Sequence, residues 1–472
     1  TASCETAQDI LLNIDFGTGG VVEKTENITL AAFTSTTVVF NIDIPADADT
    51  GETTATVSSD YDSINQSFNL GFQKITFTEQ SELNGVTITI KDSNDKQVAQ
   101  IETAGSYVSG IAEIYLESGH YNYTANLDGL EEIGSFSVAD EDKTESFRLD
   151  FAGGTGTKDK PYLITSWYHL DSVRNYGVTE GSNYEAGTYF ALDDDLNSFT
   201  PGYNQLAGIA ANSRQGWDPI GAGEISNPPS FTGVFDGQGN VISDLVIDRH
   251  NSSIGLFSVV KGNEVKIQNL GLENVDINGN SHVGGLVGTT YAATKITIDN
   301  CHVTGSVTGS DEYEYGAVGG LIGSIDNGEV AISNSHTDVT VEGFYQVGGL
   351  IGNIKNYNLH DFITIENSYT LGDVSGNREI GAFVGQMDID CEGEISNSYA
   401  AGDVTGTGES IGGFIGVISR LSPLVLERCY AKGDVKGDST IGGFVGYVES
   451  DASEIKNSYA LGSVSNYGSG YA

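Results

Sequence analysis

Hydrophobic and polar residues alternate along the first 150 positions of the chain, and turn-forming residues separate the alternating runs. A two-residue period is typical of antiparallel β-strands with one buried face. The pattern predicts strands at 36–44, 85–92, 112–127 and 145–151. It divides the region into a β-rich module of unassigned fold at 1–78 and a small seven-stranded β-sandwich at 79–150.

A different pattern follows, in which a glycine-framed apolar hexad returns six times. It reads VGGLVG at 283–288 and IGGFVG at 441–446, and SIGLFSVV at 253–260 is interpreted as a degenerate first copy. Such a fixed period predicts a repeat architecture. The first glycines of the six hexads stand 29 to 35 residues apart, at Gly284, Gly319, Gly348, Gly381, Gly412 and Gly442.

A second signature runs in phase with the hexad and reads, for example, NSYTLGDV at 367–374. In a β-strand, alternation places the second residue of this signature inward and the third outward. The predicted inward column is Cys301, Ser335, Ser368, Ser398, Cys429 and Ser458. The predicted outward column is His302, His336, Tyr369, Tyr399, Tyr430 and Tyr459.

A unit of about 30 residues with short β-segments cannot bury a core alone, but stacked units can share one. We therefore predict an all-β chain in which residues 151–472 form a parallel β-helix. A propeller is the second choice, because each blade needs about 40 residues. The apolar side chains of the hexad are expected in the core, while its glycines allow close backbone approach and corner geometry.

The first residue of the second signature is asparagine in most copies, which predicts an asparagine ladder at a turn, each amide bonding to the next. Arg428 is expected to interrupt this ladder. Cys301 and Cys429 are predicted to lie four coils apart, about 19 Å at the usual strand spacing, which excludes a disulfide between them.

Charge narrows the range of partners. The chain carries 21 basic and 65 acidic residues, a net charge of −44. Such a surface repels nucleic acid and anionic lipid, so neither is expected as a partner. No apolar run reaches the length of a membrane helix, which argues against membrane insertion.

The hexads resemble the GLUG motif of large bacterial and archaeal cell-surface proteins, among them adhesins and the non-catalytic part of some immunoglobulin A-cleaving peptidases. The segments GTGTKDKPYLIT (154–165) and FTGVFDGQGNVISDLVI (231–247) occur in the order found in such proteins. The resemblance implies a right-handed β-helix on a cell surface or in an extracellular matrix. The stretch 118–132 resembles Ig-like and carboxypeptidase-regulatory-like modules of secreted proteins.

The sequence lacks the HExxH zinc motif of those peptidases and a G-x-S-x-G nucleophile elbow, so we predict no enzymatic activity. Polysaccharide cleavage is the enzymatic alternative, since it needs clustered carboxylates. Two sets of acids are candidates, the column Asp373, Asp403 and Asp434 and the run Asp193, Asp194 and Asp195.

No cofactor is expected except a structural calcium ion. Its candidate ligands lie in the oxygen-rich loops 46–52 and 92–97 and, above all, at Asp193, Asp194 and Asp195. The outward aromatic column is the candidate strip for binding a carbohydrate or a protein. Sequons for N-glycosylation occur at Asn27, Asn65, Asn122 and Asn251.

These features predict a secreted or cell-surface protein with a structural or adhesive role. About nine coils give a β-helical stalk on the order of 45 Å long. No cap is readable after the last repeat, so we expect its partner to be a second copy of the chain in a head-to-tail filament, or a protein or glycan of a cell surface. The alternative is a β-helix that binds or cleaves polysaccharide.

Overall fold

A computed structural model describes residues 6–15, 21–30, 52–58, 63–69, 72–104, 110–127, 130–139, 141–179, 187–221, 229–310, 316–359, 361–419, 423–449 and 452–467. Two compact units divide the chain, one of residues 1–127 with 131–148 and one of 128–130 with 149–472. The predicted strand at 36–44 lies outside the described residues. In the described part, no helix is long and apolar enough to cross a membrane.

The first unit consists of antiparallel and mixed β-sheets. Its strands are β1 Thr6–Asp15, β2 Val21–Leu30, β3 Glu52–Ser58, β4 Ser63–Asn69, β5 Phe72–Glu79, β6 Thr87–Asp92, β7 Gln97–Glu102, β8 Ile111–Glu117, β9 Gly119–Leu127, β10 Leu130–Val138 and β11 Lys143–Phe147. Strands β1 to β4 form a sheet in the order β2-β1-β3-β4. The other seven form two sheets, β10-β9-β6-β7 and β11-β5-β8.

Alternation explains how these seven strands pack. In β6, Ile88 and Ile90 are fully buried, while the alternating residues Thr87 and Thr89 are partly exposed. Phe77 of β5 packs edge-on against the rings of Tyr123 and Phe136, at 5.3 and 5.5 Å between ring centroids. The predicted module boundary at 78/79 falls inside β5, Phe72–Glu79.

The second unit begins with short elements. They are β12 Tyr162–Ile164, α1 Trp167–Tyr176, β13 Val178–Thr179, β14 Tyr189–Leu192, α2 Tyr203–Leu206, α3 Ala211–Arg214, β15 Ser230–Phe231, β16 Val234–Asp236, β17 Val241–Ser243, β18 Val246–Asp248, β19 Ser252–Ile254, β20 Phe257–Val260 and β21 Val265–Gln268. Helix α1 starts after Ser166, whose side chain caps it by accepting a hydrogen bond from the backbone N–H of His169.

Regular coils follow. Their strands are β22 Gly271–Gly279, β23 Ser281–Gly284, β24 Val287–Asp299, β25 His302–Gly309, β26 Val318–Gly319, β27 Ile322–Ser333, β28 His336–Glu342, β29 Tyr345–Gly348, β30 Ile351–Asn356, β31 Phe362–Glu366, β32 Tyr369–Thr370, β33 Val374–Gly376, β34 Arg378–Gly381, β35 Val384–Ile389, β36 Glu392–Ser396, β37 Tyr399–Ala400, β38 Val404–Gly406, β39 Glu409–Gly412, β40 Ile415–Ser419, β41 Leu424–Glu427, β42 Tyr430–Ala431, β43 Val435–Gly437, β44 Ser439–Gly442, β45 Val445–Val448, β46 Glu454–Lys456, β47 Tyr459–Ala460 and β48 Val464–Asn466.

Three sheets run along this unit, with 17, 13 and 7 strands, and each successive coil adds strands to them in parallel register. The predicted β-helix is confirmed as a solenoid of about nine turns. Its right-handed sense stays a prediction. The degenerate first hexad is part of the same array, because Ile254 of β19 pairs with Val283 of β23.

The hexad builds the core of the regular coils. Its leucine or phenylalanine position is fully buried in five successive coils, at Leu286, Leu321, Leu350, Phe383 and Phe414. Its last apolar position pairs in register through Val287, Ile322, Ile351, Val384, Ile415 and Val445. Identical positions thus stack on each other, and each coil buries its neighbour's apolar face.

Candidate functional site

The candidate binding column forms one continuous stack of aromatic rings on the outside of the 13-stranded sheet. Neighbouring members pair in register across the parallel strands from β25 to β47. The ring centroids of His302 and His336 are 5.2 Å apart, and those of Tyr369 and Tyr399 are 4.9 Å apart with an interplanar angle of 1°. Tyr430 and Tyr459 continue the stack at 5.3 Å.

Stacking limits what this column can bind. A sugar or an apolar group packs against an aromatic side chain through the face of the ring, but in the stack each inner face is covered by the next ring. Tyr459, which is 51% exposed, has only Tyr430 as a stacking neighbour among the described residues. The column therefore exposes mainly ring edges, which suits mutual stabilisation of the coils better than recognition of a sugar ring.

The stack starts at His302 because the preceding coil has a glycine at this position. Gly271 pairs with His302, and a Cβ atom on Gly271 would lie 2.5 Å from the His302 ring. Glu273 lies 3.3 Å from His302 Nε2. Burial, followed by the charge of neighbouring His302, lowers the pKa of His336 below its usual value of 6.5. The stack thus disfavours a positive charge on His336.

The inward column beside the stack is buried and hydrogen-bonded. The hydroxyl of Ser335 accepts from the backbone N–H of Cys301 at 3.1 Å and donates to the carbonyl of Ser333 at 2.8 Å. Ser368, Ser398 and Ser458 repeat both bonds in later coils. These hydroxyls therefore join consecutive coils.

The three cysteines in the described part of the chain have buried thiols. Cys301, Cys391 and Cys429 are buried and unbridged. Burial raises the pKa of Cys301 to about 12 and those of Cys391 and Cys429 to about 11. A protonated, buried thiol is a poor nucleophile. Cys4 and His360 lie outside the described residues.

The asparagine positions form a left-handed corner. Asn269, Asn300, Asn334, Asn367, Asn397, Arg428 and Asn457 all have φ between 50° and 55°, a region that asparagine tolerates better than most residues. The amide of Asn300 donates to Asn269 at 2.9 Å, as the predicted ladder requires, but that of Asn334 donates to the Asp299 carboxylate.

The predicted interruption of this column at Arg428 is wrong. Arg428 adopts the same left-handed conformation, and its Nε atom donates to Asn397 Oδ1 at 2.7 Å. The guanidinium therefore supplies the donor that an asparagine amide provides elsewhere. The corner requires a left-handed residue with a donor, and asparagine is only its commonest solution here.

The hexad glycines have a steric role. A Cβ atom on any of the six first glycines would lie 1.9 to 2.2 Å from the carbonyl oxygen three residues later. The corner geometry predicted for these glycines lies two residues earlier, where His282, Gln346, Glu379, Ser410 and Thr440 have positive φ. Glycine is thus needed for close packing within each coil.

The three neighbouring aspartates do not converge. Asp194 Oδ1 accepts the backbone N–H of Asp195, and Asp195 Oδ1 accepts the backbone N–H of Val241 at 2.8 Å. Asp193 instead lines a groove on the outer face of the first coils. Across the ranges that the structure describes, no three His, Cys, Asp or Glu side chains are grouped as a metal site. Calcium binding stays a prediction.

The other candidate acids also bind backbone groups. Asp373, Asp403 and Asp434 each accept the N–H of the matching residue in the next coil, at 2.9, 2.8 and 2.7 Å. In the loop 92–97, Asp92 accepts two backbone N–H groups, which lower its pKa. Loop residues 46–51 lie outside the described part. These carboxylates hold turns and corners together.

The four sequons fall on β-strands or their connections. Asn27 and Asn65 belong to β2 and β4. Asn122 in β9 and Asn251 before β19 have exposed side chains. Exposure makes the last two accessible to a glycosyltransferase, and their modification stays a prediction.

Sequence reasoning missed the groove that Asp193 lines. Its lining residues come from five separate segments between Lys158 and Thr297, and they include three lysines. The only signal available in the sequence was the placing of lysines on outward strand positions of a chain that has few basic residues, as in VKIQ at 265–268.

The described coil of residues 439–466 differs from the others in exposure. Ile455 and Val464 are both 49% exposed, although their paired residues in the preceding coil, Leu426 and Val435, are fully buried. The ring of Phe444, stacked on Phe414 at 5.0 Å, is only partly buried. This coil therefore presents apolar side chains and strand edges.

Comparison with known proteins identifies the repeats. The model of the GLUG motif matches residues 279–308 and 437–465. The resemblance derived from the hexads is confirmed at these two copies. Both matches contain a complete hexad of the solenoid, so the motif corresponds to a structural unit of the β-helix.

Several longer proteins are similar to parts of the chain. Halomucin of Haloquadratum walsbyi is 29% identical over 282 residues, which are 56% of this chain and 3% of halomucin. A protein of Evansella cellulosilytica described as a Gly-rich membrane protein is 37% identical over 213 residues, 44% of this chain and 21% of that protein. An immunoglobulin A1 protease of Streptococcus sanguinis is 30% identical over 29% of this chain and 7% of its own length.

The chain therefore spans about a fifth or less of these relatives. A solved structure from Bacteroides ovatus, described as that of an immunoglobulin A1 protease candidate, is 23% identical, with a TM-score of 0.47. The match covers 67% of this chain and 87% of that chain.

Proposed function

We propose that the chain is a structural segment of an extracellular or cell-surface protein, in which the regular coils set length and no reaction is catalysed. The observation that carries this proposal is the unbroken register of the same columns through the regular coils. Apolar, serine and aromatic positions join one coil to the next. The candidate catalytic acids Asp373, Asp403 and Asp434 bind backbone groups instead.

The relatives support a surface location. They are named as a halomucin, a membrane protein and a protease of immunoglobulin A1, and each is much longer than the matched segment. The net charge of −44 fits a hydrated protein in salty surroundings. A role in adhesion or in a surface matrix is the finer form of the proposal.

Location is tested on intact cells of the source organism. Antibodies against the solenoid should label unpermeabilised cells, and brief protease treatment should remove the label. Labelling that appears only after lysis would contradict the proposal.

The structural role is tested by removing one coil. Deleting residues 380–410 joins Glu379 to Ile411, which keeps register because Ile380 and Ile411 are paired. The shortened protein should fold with an unchanged urea midpoint and still reach the surface. A deletion of residues 380–395, about half a coil, is the matched control and should disrupt the solenoid.

Assembly into a head-to-tail filament is a second proposal, favoured by the parallel register of the regular coils, which strands of a second copy could extend. Parallel strand edges and open ring faces are best covered by a further β-edge carrying apolar side chains. We propose that a second copy supplies it through an N-terminal β-module. Because like-charged copies repel each other, salt should promote assembly.

Negative-stain microscopy and sedimentation velocity across a concentration series test this assembly. Filaments should form with rising protein and salt concentration, and Ile455→Lys should abolish them, because the residue paired with Ile455 in the preceding coil, Leu426, is fully buried. Leu359→Lys alters a residue that is 72% exposed elsewhere on the solenoid and should leave them unchanged. A wild-type chain that stays monomeric under all conditions would contradict filament formation but not the structural role.

A further inference from the structure

The outer face of the first coils contains a groove of about 670 Å³. This volume lies within the range of ligand sites in proteins. The groove is lined by Lys158, Lys266 and Lys295, three of only 21 basic residues in the chain. Three carboxylates, those of Asp193, Asp236 and Glu264, line the same groove, so it brings lysines and acids together on a strongly acidic protein.

Two columns of side chains form the floor. One runs through Leu163, Ala191, Asp236 and Gln268, and the other through Tyr189, Val234, Lys266 and Thr297. The concave surface is centred on small residues such as Ala191, which is nearly fully buried. Because this floor is the face of a sheet, its strands pair with each other along the backbone, and side chains meet any ligand.

The groove is elongated along the solenoid. Strands β12, β14, β16, β21 and β24 lie next to each other in that order, so four strand spacings give a length of about 19 Å. Lys158 precedes the first of these strands, Lys266 lies on the fourth and Lys295 on the fifth. Lysines thus lie towards both ends of the groove with Asp193 and Asp236 between them, which suits an extended ligand that carries both negative groups and hydrogen-bond donors.

The acidic residues of the groove differ in what they can still bind. Asp236 is occupied by three donors, namely Gln268 Nε2 at 2.6 Å, Asn269 Nδ2 at 3.0 Å and the backbone N–H of Gln238 at 2.9 Å. Asp193 and Glu264 have exposed side chains on the walls. Lys295 also pairs with Glu329 at 3.0 Å. The walls therefore offer hydrogen-bond acceptors beside the lysines.

We propose that this groove binds an extended anionic oligosaccharide whose sugars carry carboxylates. The lysines would pair with the carboxylates, while Asp193 and Glu264 would accept from sugar hydroxyls. Tyr189 and Val234 on the floor would contact the apolar faces of the sugar rings. This site is separate from the structural role proposed above and does not depend on it.

An acidic peptide fits the same groove less well. Peptides commonly bind a sheet by adding a strand to an open edge, and the floor of this groove is a sheet face. The side chains of a polyglutamate chain also lack hydroxyl donors, so they cannot supply the hydrogen bonds that Asp193 and Glu264 would accept from a sugar. The mixture of lysines and exposed acceptors therefore favours a ligand with both carboxylates and hydroxyls.

Isothermal titration calorimetry with a polygalacturonate oligomer tests the proposal. Three ligands are compared on the full chain, namely this oligomer, a neutral galactan oligomer and polyglutamate of similar length. We expect saturable binding of polygalacturonate that weakens with added salt, and little binding of the other two. Polyglutamate binding as tight as polygalacturonate would overturn the assignment to sugars, and binding of none would overturn the site.

Lysine variants inside and outside the groove show where the polygalacturonate oligomer binds. Lys266→Gln together with Lys295→Gln should weaken polygalacturonate binding at least about fivefold, while Lys436→Gln, an exposed lysine on another sheet, should not change it. Equal weakening by both variants would show binding outside the groove. Release of new reducing ends from the oligomer would contradict the proposed absence of catalysis but not the binding site.

Discussion

The first coils and the regular coils of the solenoid fill their cores with different kinds of side chains. In residues 151–260 the core contains single large side chains, among them Trp167, Trp217, Phe190 and Phe231, all buried. In the regular coils the core consists of columns of equivalent aliphatic residues and one stack of phenylalanines. Core side chains that occur in only one coil allow irregular connections and a groove. Core positions that repeat in every coil allow further coils to be added.

This difference connects fold with function. Coils that repeat the same contacts have stability that is roughly a sum of unit and interface terms, so they are suited to setting length. The irregular coils carry loops that wall the groove described above. We infer a division in which the first coils recognise a ligand and the regular coils extend the molecule.

The largest expected effect comes from the irregular core. Trp217 is fully buried, and its indole ring lies 5.8 Å from that of Trp167. Trp217→Ala should reduce the free energy of unfolding of the first coils by about 4 kcal/mol, because it leaves a large cavity. Both tryptophans lie in these coils, so Trp167 fluorescence in a urea titration reports the change. An unchanged midpoint would show that this core is not needed.

Close packing within a regular coil gives the next largest effect. A Cβ atom at position 412 would lie 2.0 Å from the Ile415 carbonyl oxygen, whereas at position 443 the nearest atoms are 3.4 Å away. Gly412→Ala should cost about 3 kcal/mol, and Gly443→Ala much less. Circular dichroism should show an earlier transition for Gly412→Ala while tryptophan fluorescence stays unchanged. Equal effects of the two variants would contradict the steric role.

The aromatic stack should contribute a smaller amount. Tyr399 has a ring neighbour on each side at 4.9 Å, whereas Tyr459 has one described neighbour. Tyr399→Ala should cost about 1.5 kcal/mol in urea unfolding and Tyr459→Ala less. Tyr399→Phe keeps the ring and should be close to neutral. A large loss for Tyr399→Phe would indicate that the hydroxyl, and not stacking, is what matters.

Protonation of His336 should give the smallest effect. Its pKa is lowered in the folded state, so the unfolded chain binds this proton more readily. Stability should therefore fall as the pH drops below 6.5, and this contribution should level off once the pH passes the lowered folded pKa. His336→Tyr, which matches the neighbouring stack residues, should remove that part of the decline in urea midpoints. An identical pH profile of the wild-type and His336→Tyr proteins would contradict this contribution of His336.

The sequence predicted the features that repeat from coil to coil and missed the groove, which occurs once. The solenoid and the outward column from His302 to Tyr459 follow from periodicity, because equivalent positions in stacked coils must coincide. The groove could not be predicted, since Lys158, Tyr189, Lys266 and Lys295 share no motif and meet only through strand register. The Asp193–Asp195 run shows that neighbours in sequence need not act together, since Asp194 and Asp195 bind different backbone groups.

The central claim is that the first coils recognise a ligand while the regular coils extend the molecule. Hydrogen exchange on the full chain, with and without the polygalacturonate oligomer, tests it most directly. The account predicts added protection at the loops that wall the groove, near residues 158, 238 and 264, and none along the aromatic stack from 369 to 459. Added protection centred on the stack, or no change anywhere at saturating oligomer, would contradict the account.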